Sequence, residues 1–192
     1  GQYYVIVSGE FDLSMAAVIA AQVVLAGNFI GQDEARIIPG LIVMFAVGAL
    51  IGLINGLATT ILKVPSFIVT LGMMLALTGL VRYVTGGAAT GNPSDAFRDI
   101  GRGGIEGVPV VGIVPYSLLI LLVLAALAVW LTRRPFGRLI VAVGDNAEAA
   151  RYAGTEVWWL KTRAFIISSL SATVAGILLV VYAGVHPSVG SG

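Results

Sequence analysis

An all-α architecture, a polytopic bundle of helices crossing a lipid bilayer, is what this chain specifies. Two observations lead there. Apolar residues make up 58 % of the 192 positions and charged residues only 11 %, less than half of the roughly 25 % usual in soluble domains. The charges are also unevenly placed, leaving five blocks without any, 109 residues in all. The mean hydropathy of +0.98 agrees. This composition excludes a disordered chain, a coiled coil and a nucleic-acid-binding surface.

The blocks are Leu13–Gln32, Pro39–Leu62, Val64–Val81, Val108–Thr132 and Ala164–Val185, of 20, 24, 18, 25 and 22 residues. A bilayer core of about 30 Å takes roughly 20 apolar residues in a helix. Backbone groups in lipid must bond within their own segment, so each block is expected to be a helix. The opening GQYYVIVSG is a further apolar piece that reads as the last half of a helix. The expectation is therefore five full membrane helices plus a partial one. With no initiator Met and a Gly-rich end, residues 1–192 read as one transmembrane domain incomplete at both ends.

Orientation follows from the basic residues, which favour the cytoplasmic side in short loops. Residues 133–163 hold Arg133, Arg134, Arg138, Arg151, Lys161 and Arg163, six of the eleven cations in the chain. This segment is placed in the cytoplasm. Alternation then puts the loop 86–107 outside, the Lys63–Ser66 turn inside, residues 32–38 outside and the Glu10 region inside.

Few residues offer chemistry. Asp12, in Ser8-Gly9-Glu10-Phe11-Asp12-Leu13-Ser14, has apolar sequence on both sides. A carboxylate there must face protein or water. It is either a polar element of a translocation pathway within a broken helix, or an interfacial carboxylate favourable to a helix start. Gly9 suits a break, and Ser14 can cap the helix that follows. Gly48, Gly52 and Gly56 form a small-residue ridge that lets helix backbones approach closely. Asn55 beside it either hydrogen-bonds across helices or lines a pathway. Ser168, Ala172 and Gly176 form a second ridge, read as packing. Arg82 reaches the interface by snorkelling. His186 is alone, which makes no metal site, and Thr85–Gly91 lacks the Lys-Ser/Thr ending of a phosphate loop. With no Cys, a thiol nucleophile and a disulfide are excluded. No catalytic set, metal or cofactor is expected.

The richest stretch is Arg133-Arg134-Pro135-Phe136-Gly137-Arg138 through Gly144-Asp145-Asn146 to Ala149-Ala150-Arg151 and Gly154. Asp145 or Asn146 can cap a short helix, Ala147–Ala153 forms it, and Gly154 ends it. It is either an ordinary basic loop or a helix, about 145–154, that docks on a cytoplasmic partner.

Here the sequence resembles the membrane permease subunits of bacterial ABC importers for monosaccharides, with ribose and xylose permeases as typical members. The resemblance rests on the Asp12 segment, Asn55-Gly56, Pro65–Gly72, Thr85-Gly86-Gly87, Gly107-Val108-Pro109 and the stretch from Phe136 to Gly154. It departs at Glu10 and Phe11, where the family pattern has Gly and Ile, and at Met15-Ala16 in place of Val-Gly. The resemblance implies a permease of about ten helices and import of xylose, ribose or a similar sugar, with xylose mildly preferred. It implies Asp12, Ser14 and Asn55 on the substrate pathway. It assigns coupling to an ATPase to Gly137, Arg138, Gly144, Asp145, Asn146, Ala149, Ala150, Arg151 and Gly154. It also implies the partners: a second permease subunit, identical or paralogous, a cytoplasmic ATP-binding subunit that hydrolyses the ATP, and a periplasmic or lipid-anchored sugar-binding protein. The location implied is the bacterial inner membrane. The rival readings are a secondary transporter of a small polar solute, expected to carry intramembrane charges and an inverted repeat, and an intramembrane enzyme, for which no nucleophile and base are at hand.

Overall fold

Apolar blocks become helices here because their polar punctuation sits at the ends. The computed structural model describes residues 1–31, 33–86, 97, 104–108 and 112–183. Helix α1 is Gln2–Val7 and α2 is Met15–Leu25, which continues as a π-turn over Ala26–Ile30 and stops at Gly31. Asp33 caps a 3-10 turn, Glu34–Arg36, and α3 follows as Ile37–Thr60. The turn after α3 carries Lys63 at φ 56, and α4 spans Ser66–Thr85, ended by left-handed Gly86. After Pro115 comes α5, Tyr116–Arg133, then α6, Pro135–Asp145, α7, Ala147–Tyr152, and α8, Val157–Ala183.

Among the described residues, four helices are long and apolar enough to cross a membrane: Glu34–Thr60, Ser66–Thr85, Tyr116–Arg133 and Val157–Val181. The remaining block, Leu13–Gln32, gives the shorter apolar helix Met15–Ile30. The block expected over Val108–Thr132 begins its helix only at Tyr116. Upstream of it, β1, Gly104–Val108, pairs antiparallel with β2, Gly112–Pro115, Ile105 opposite Val114. The local reason is Pro115: it has no N–H to donate and its φ suits a helix start. The short α6, not expected from the sequence, has Gly137, Ile140 and Val143 buried at three-residue spacing behind Pro135.

The centre is the α3–α8 contact. A Cβ on Gly52 would lie 2.6 Å from the Ile166 Cα and 2.7 Å from the Phe165 carbonyl oxygen; one on Gly56 would lie 2.7 Å from the Thr162 Cα. Only glycine allows these backbones to meet, as the ridge predicts. Helix α2 packs on the same face of α8, where a Cβ on Gly176 would come 2.9 Å from the Gln22 Cβ. At one end of the bundle lie the Ser8–Ser14 turn, the Ile61–Pro65 turn and α6–α7, joined by Lys161–Glu10 and by Phe11 to Ser66. At the other end Ala26, Ile30, Met44, Phe97, Val180 and Val181 form an apolar cluster. Helix α5 has no buried residue, and its outward face is leucine, valine and tryptophan.

Candidate functional site

The polar heart of the structure is a knot around Asp12. Helix α1 ends at Ser8, whose hydroxyl donates to the Val5 carbonyl at 2.7 Å, and Gly9 at φ 82 turns the chain. The Asp12 side chain, only 2 % exposed, then points into the bundle. Its Oδ1 accepts from the Ser14 N–H at 3.0 Å and the Ser14 hydroxyl at 2.6 Å, and its Oδ2 accepts from the Ser168 hydroxyl on α8 at 2.8 Å. The Ser14 oxygen in turn accepts from the Asn55 amide on α3 at 3.0 Å. All four side chains are buried. Three hydrogen bonds to one carboxylate offset the cost of taking it out of water, which an unpaired acid could not bear.

The three residues expected on a pathway, Asp12, Ser14 and Asn55, are thus brought together by hydrogen bonds, while the Asn55 Oδ1 is buried without a hydrogen-bond partner among the described residues. Two expectations change. Ser14 is at the N-cap of α2 but its side chain makes no cap bond; the Asp12 carboxylate takes both the Ser14 N–H and its hydroxyl instead, an Asx-type turn. Ser168, read as part of a packing ridge, is a hydrogen-bond donor to Asp12. The sequence reading missed it because serine counts equally as a small residue and as a donor. Residues 8–14 are non-helical between α1 and α2.

Further polar contacts continue the seam along α8. Toward its start, the Thr60 and Thr162 hydroxyls lie 3.2 Å apart, and Lys161 donates to Glu10 at 2.6 Å, both side chains only 16–17 % exposed. Farther along, Gln22 on α2 donates to the Met44 carbonyl and the Thr173 hydroxyl, both at 2.9 Å, and Gly48 packs against Thr173. Glu10, Lys161, Gln22 and Thr173 were not singled out as site residues. Lys161 and Ser168 are seven apart, which is one face of a helix, and that spacing was the available signal. The seam thus holds hydroxyls, amides, the Glu10 and Asp12 carboxylates and the Lys161 ammonium.

A cavity of about 370 Å³ between α2, α3 and α4 is walled by apolar side chains except Asn28. It lacks the convergent polar groups that a sugar's hydroxyls need. A smaller cavity, about 150 Å³, is bounded by Glu10, Thr59, Thr60, Arg151, Trp158 and Lys161.

The cationic segment forms a helical elbow. Asn146 Oδ1 accepts from the N–H groups of Glu148 at 3.1 Å and Ala149 at 2.9 Å, capping α7. Gly154 at φ 84 ends it, its N–H bonded to the Arg151 carbonyl at 3.0 Å. Arg138, Gly144, Asp145, Asn146, Ala149, Arg151 and Gly154 are exposed, whereas Gly137 and Ala150 are buried. Gly137 folds α6 back on the Thr132 backbone, Gly144 meets the Val7 carbonyl, and Ala150 packs with Val157 and Leu160. The segment therefore has an inward face of small residues and an outward polar face. His186 and Gly87–Gly91 lie outside the described residues.

Comparison with known proteins accords with this geometry. The family described as branched-chain amino acid transport system / permease component matches residues 1–192. The L-arabinose ABC transporter permease protein AraH of Azospirillum brasilense is 31 % identical over 92 % of this chain and 50 % of its own length. AraH of Escherichia coli K12 is 35 % identical over 93 % of this chain and 53 % of its own. The ribose import permease protein RbsC of Bacillus subtilis is 33 % identical over 93 % and 54 %. No solved structure matches. The chain spans about half the length of these curated relatives. Matched along its whole length, and similar to sugar permeases along nearly all of it, the chain belongs to this family of multi-pass ABC-importer permease components.

Proposed function

We propose that the chain is part of a permease subunit that carries a monosaccharide, xylose, ribose or a similar sugar, inward across the bacterial cytoplasmic membrane, driven by ATP. The permease works with a second permease subunit, a separate cytoplasmic subunit that binds and hydrolyses ATP, and a periplasmic or lipid-anchored sugar-binding protein. Residues 133–163 face the cytoplasm, and α7 docks on the ATP-binding subunit. The observation that carries this reading is the elbow itself. Six residues of α7 are too few to hold a helix alone, yet this one is capped at Asn146, terminated at Gly154 and seated by Ala150 on α8. Its polar face is left outward at the end of the bundle that also holds the Ser8–Ser14 turn. Movement of α7 on ATP binding shifts packed helices between two arrangements.

Asp12, Ser14 and Asn55 shape the pathway by holding the Ser8–Ser14 turn on α8 and α3. Reconstitution tests the reading. The complete permease in proteoliposomes with its ATP-binding subunit and loaded binding protein is expected to accumulate sugar only with ATP. Accumulation driven by an ion gradient without ATP would overturn it in favour of a secondary transporter.

A further inference from the structure

The turn before α2 is fixed to α8 at two points: Glu10 to Lys161 at 2.6 Å and Asp12 to Ser168 at 2.8 Å. These points are seven residues apart, two turns or about 10 Å along one face. The lower one opens on the 150 Å³ cavity, whose wall also includes Ala147 and Arg151 of α7. That cavity is rich in donors. Arg151 is exposed and has no ion-pair partner among the described residues. The Thr59 hydroxyl is buried and unpartnered on the same wall. Among the described residues that line the cavity Glu10 is the one carboxylate, and it stands where the resembling family pattern has Gly. Glu10 therefore shares one cavity with a cation on α8 that it holds and a cation on α7 that it does not.

We propose that Glu10 and Lys161 are positioning residues for coupling, and that Glu10 passes between Lys161 and Arg151 as α7 moves, so that displacement of α7 reaches the Asp12 knot. This inference rests on the importer reading above. A carboxylate with two alternative cations on separate helices can form two discrete ion pairs, which is what a transmission point requires. A partly buried pair is also less screened by salt than a surface one.

The test uses the complete permease in proteoliposomes with its ATP-binding subunit and loaded binding protein, and reads sugar imported per ATP hydrolysed. Glu10→Gln, Lys161→Gln and Arg151→Gln are each expected to lower that ratio roughly fivefold or more, the scale of a modest coupling energy, while ATP hydrolysis continues. The exchanged pair Glu10→Lys with Lys161→Glu is expected to recover most of the ratio. Arg151 is exposed and unpaired, so its variant folds even if the others do not. An unchanged ratio in Arg151→Gln, or loss of protein abundance with the ratio intact in the Glu10 and Lys161 variants, overturns the proposal alone. Wild-type permease with no ATP-driven import overturns the importer reading and this proposal with it.

Discussion

Asp12 Oδ2 lies 2.8 Å from the Ser168 hydroxyl, across 156 residues of chain, and both side chains are sealed from solvent. Ser168→Ala removes one of three donors to a buried carboxylate. The expected loss is about 1–2 kcal/mol, since hydrogen bonds to charged groups exceed neutral ones but membrane bonds average less. A thermal unfolding midpoint in detergent reads this directly. Asp12→Ala, which strands the Ser14 and Ser168 donors together, is expected to cost more. Asp12→Asn keeps the shape and is expected to lower sugar uptake more than membrane abundance; an equal fall in both would make Asp12 a folding residue only.

The glycines of the α3–α8 contact differ sharply from glycines elsewhere. Gly52→Ala places a methyl 2.6 Å from the Ile166 Cα, backbone that cannot swing aside. Overpacking of about 1–3 kcal/mol is expected. Gly72 has nothing within 4 Å of its virtual Cβ, so Gly72→Ala is expected to be neutral or to stabilise by about 0.5–1 kcal/mol through helix propensity. Membrane abundance of the two variants, measured side by side, checks the contrast.

Neighbouring alanines on α7 separate docking from packing. Ala149 is exposed and Ala150 is buried against Val157 and Leu160. Ala149→Trp is expected to abolish coupled uptake with abundance retained. Ala150→Trp is expected to reduce both. Gly154→Val forces a β-branched residue to φ 84, costing about 1–2 kcal/mol, and is expected to weaken coupling through a displaced α7. Uptake and ATP hydrolysis assayed together distinguish these cases.

Because this stretch contains no Cys, single cysteines report sidedness cleanly. Tyr152→Cys, at a position 85 % exposed on α7, is expected to react with an impermeant maleimide only in inverted vesicles, and less when the ATP-binding subunit is bound. Asp33→Cys, at the opposite end of the bundle, is expected to react in intact cells. The reverse pattern would place residues 133–163 outside.

Much of the fold is legible because lipid leaves the backbone one economical option, and the Gly48-Gly52-Gly56 spacing states a close contact outright. Asn146 and Gly154 announce α7 by the same local logic. What stayed hidden was partnership. Nothing local says that Ser168 serves Asp12 or that Lys161 serves Glu10, since each pair is joined only by folding. Helix α6 was also missed: a buried triplet of Gly137, Ile140 and Val143 is too short a pattern to stand out beside long apolar blocks. Pro115 postponed the start of α5 for a reason visible in the sequence but outweighed by the uncharged run around it.

Where Gly52 and Gly56 meet α8, a Cβ on either would run into the α8 backbone, so the two helices lie in backbone contact. Two rods seated that closely are expected to move together, as a single lever. From Lys161 to Val180 that lever is about 29 Å long at helical rise. A push delivered beside α7 therefore arrives at the far end, against Ala26 and Ile30, as a swing rather than as a local dent.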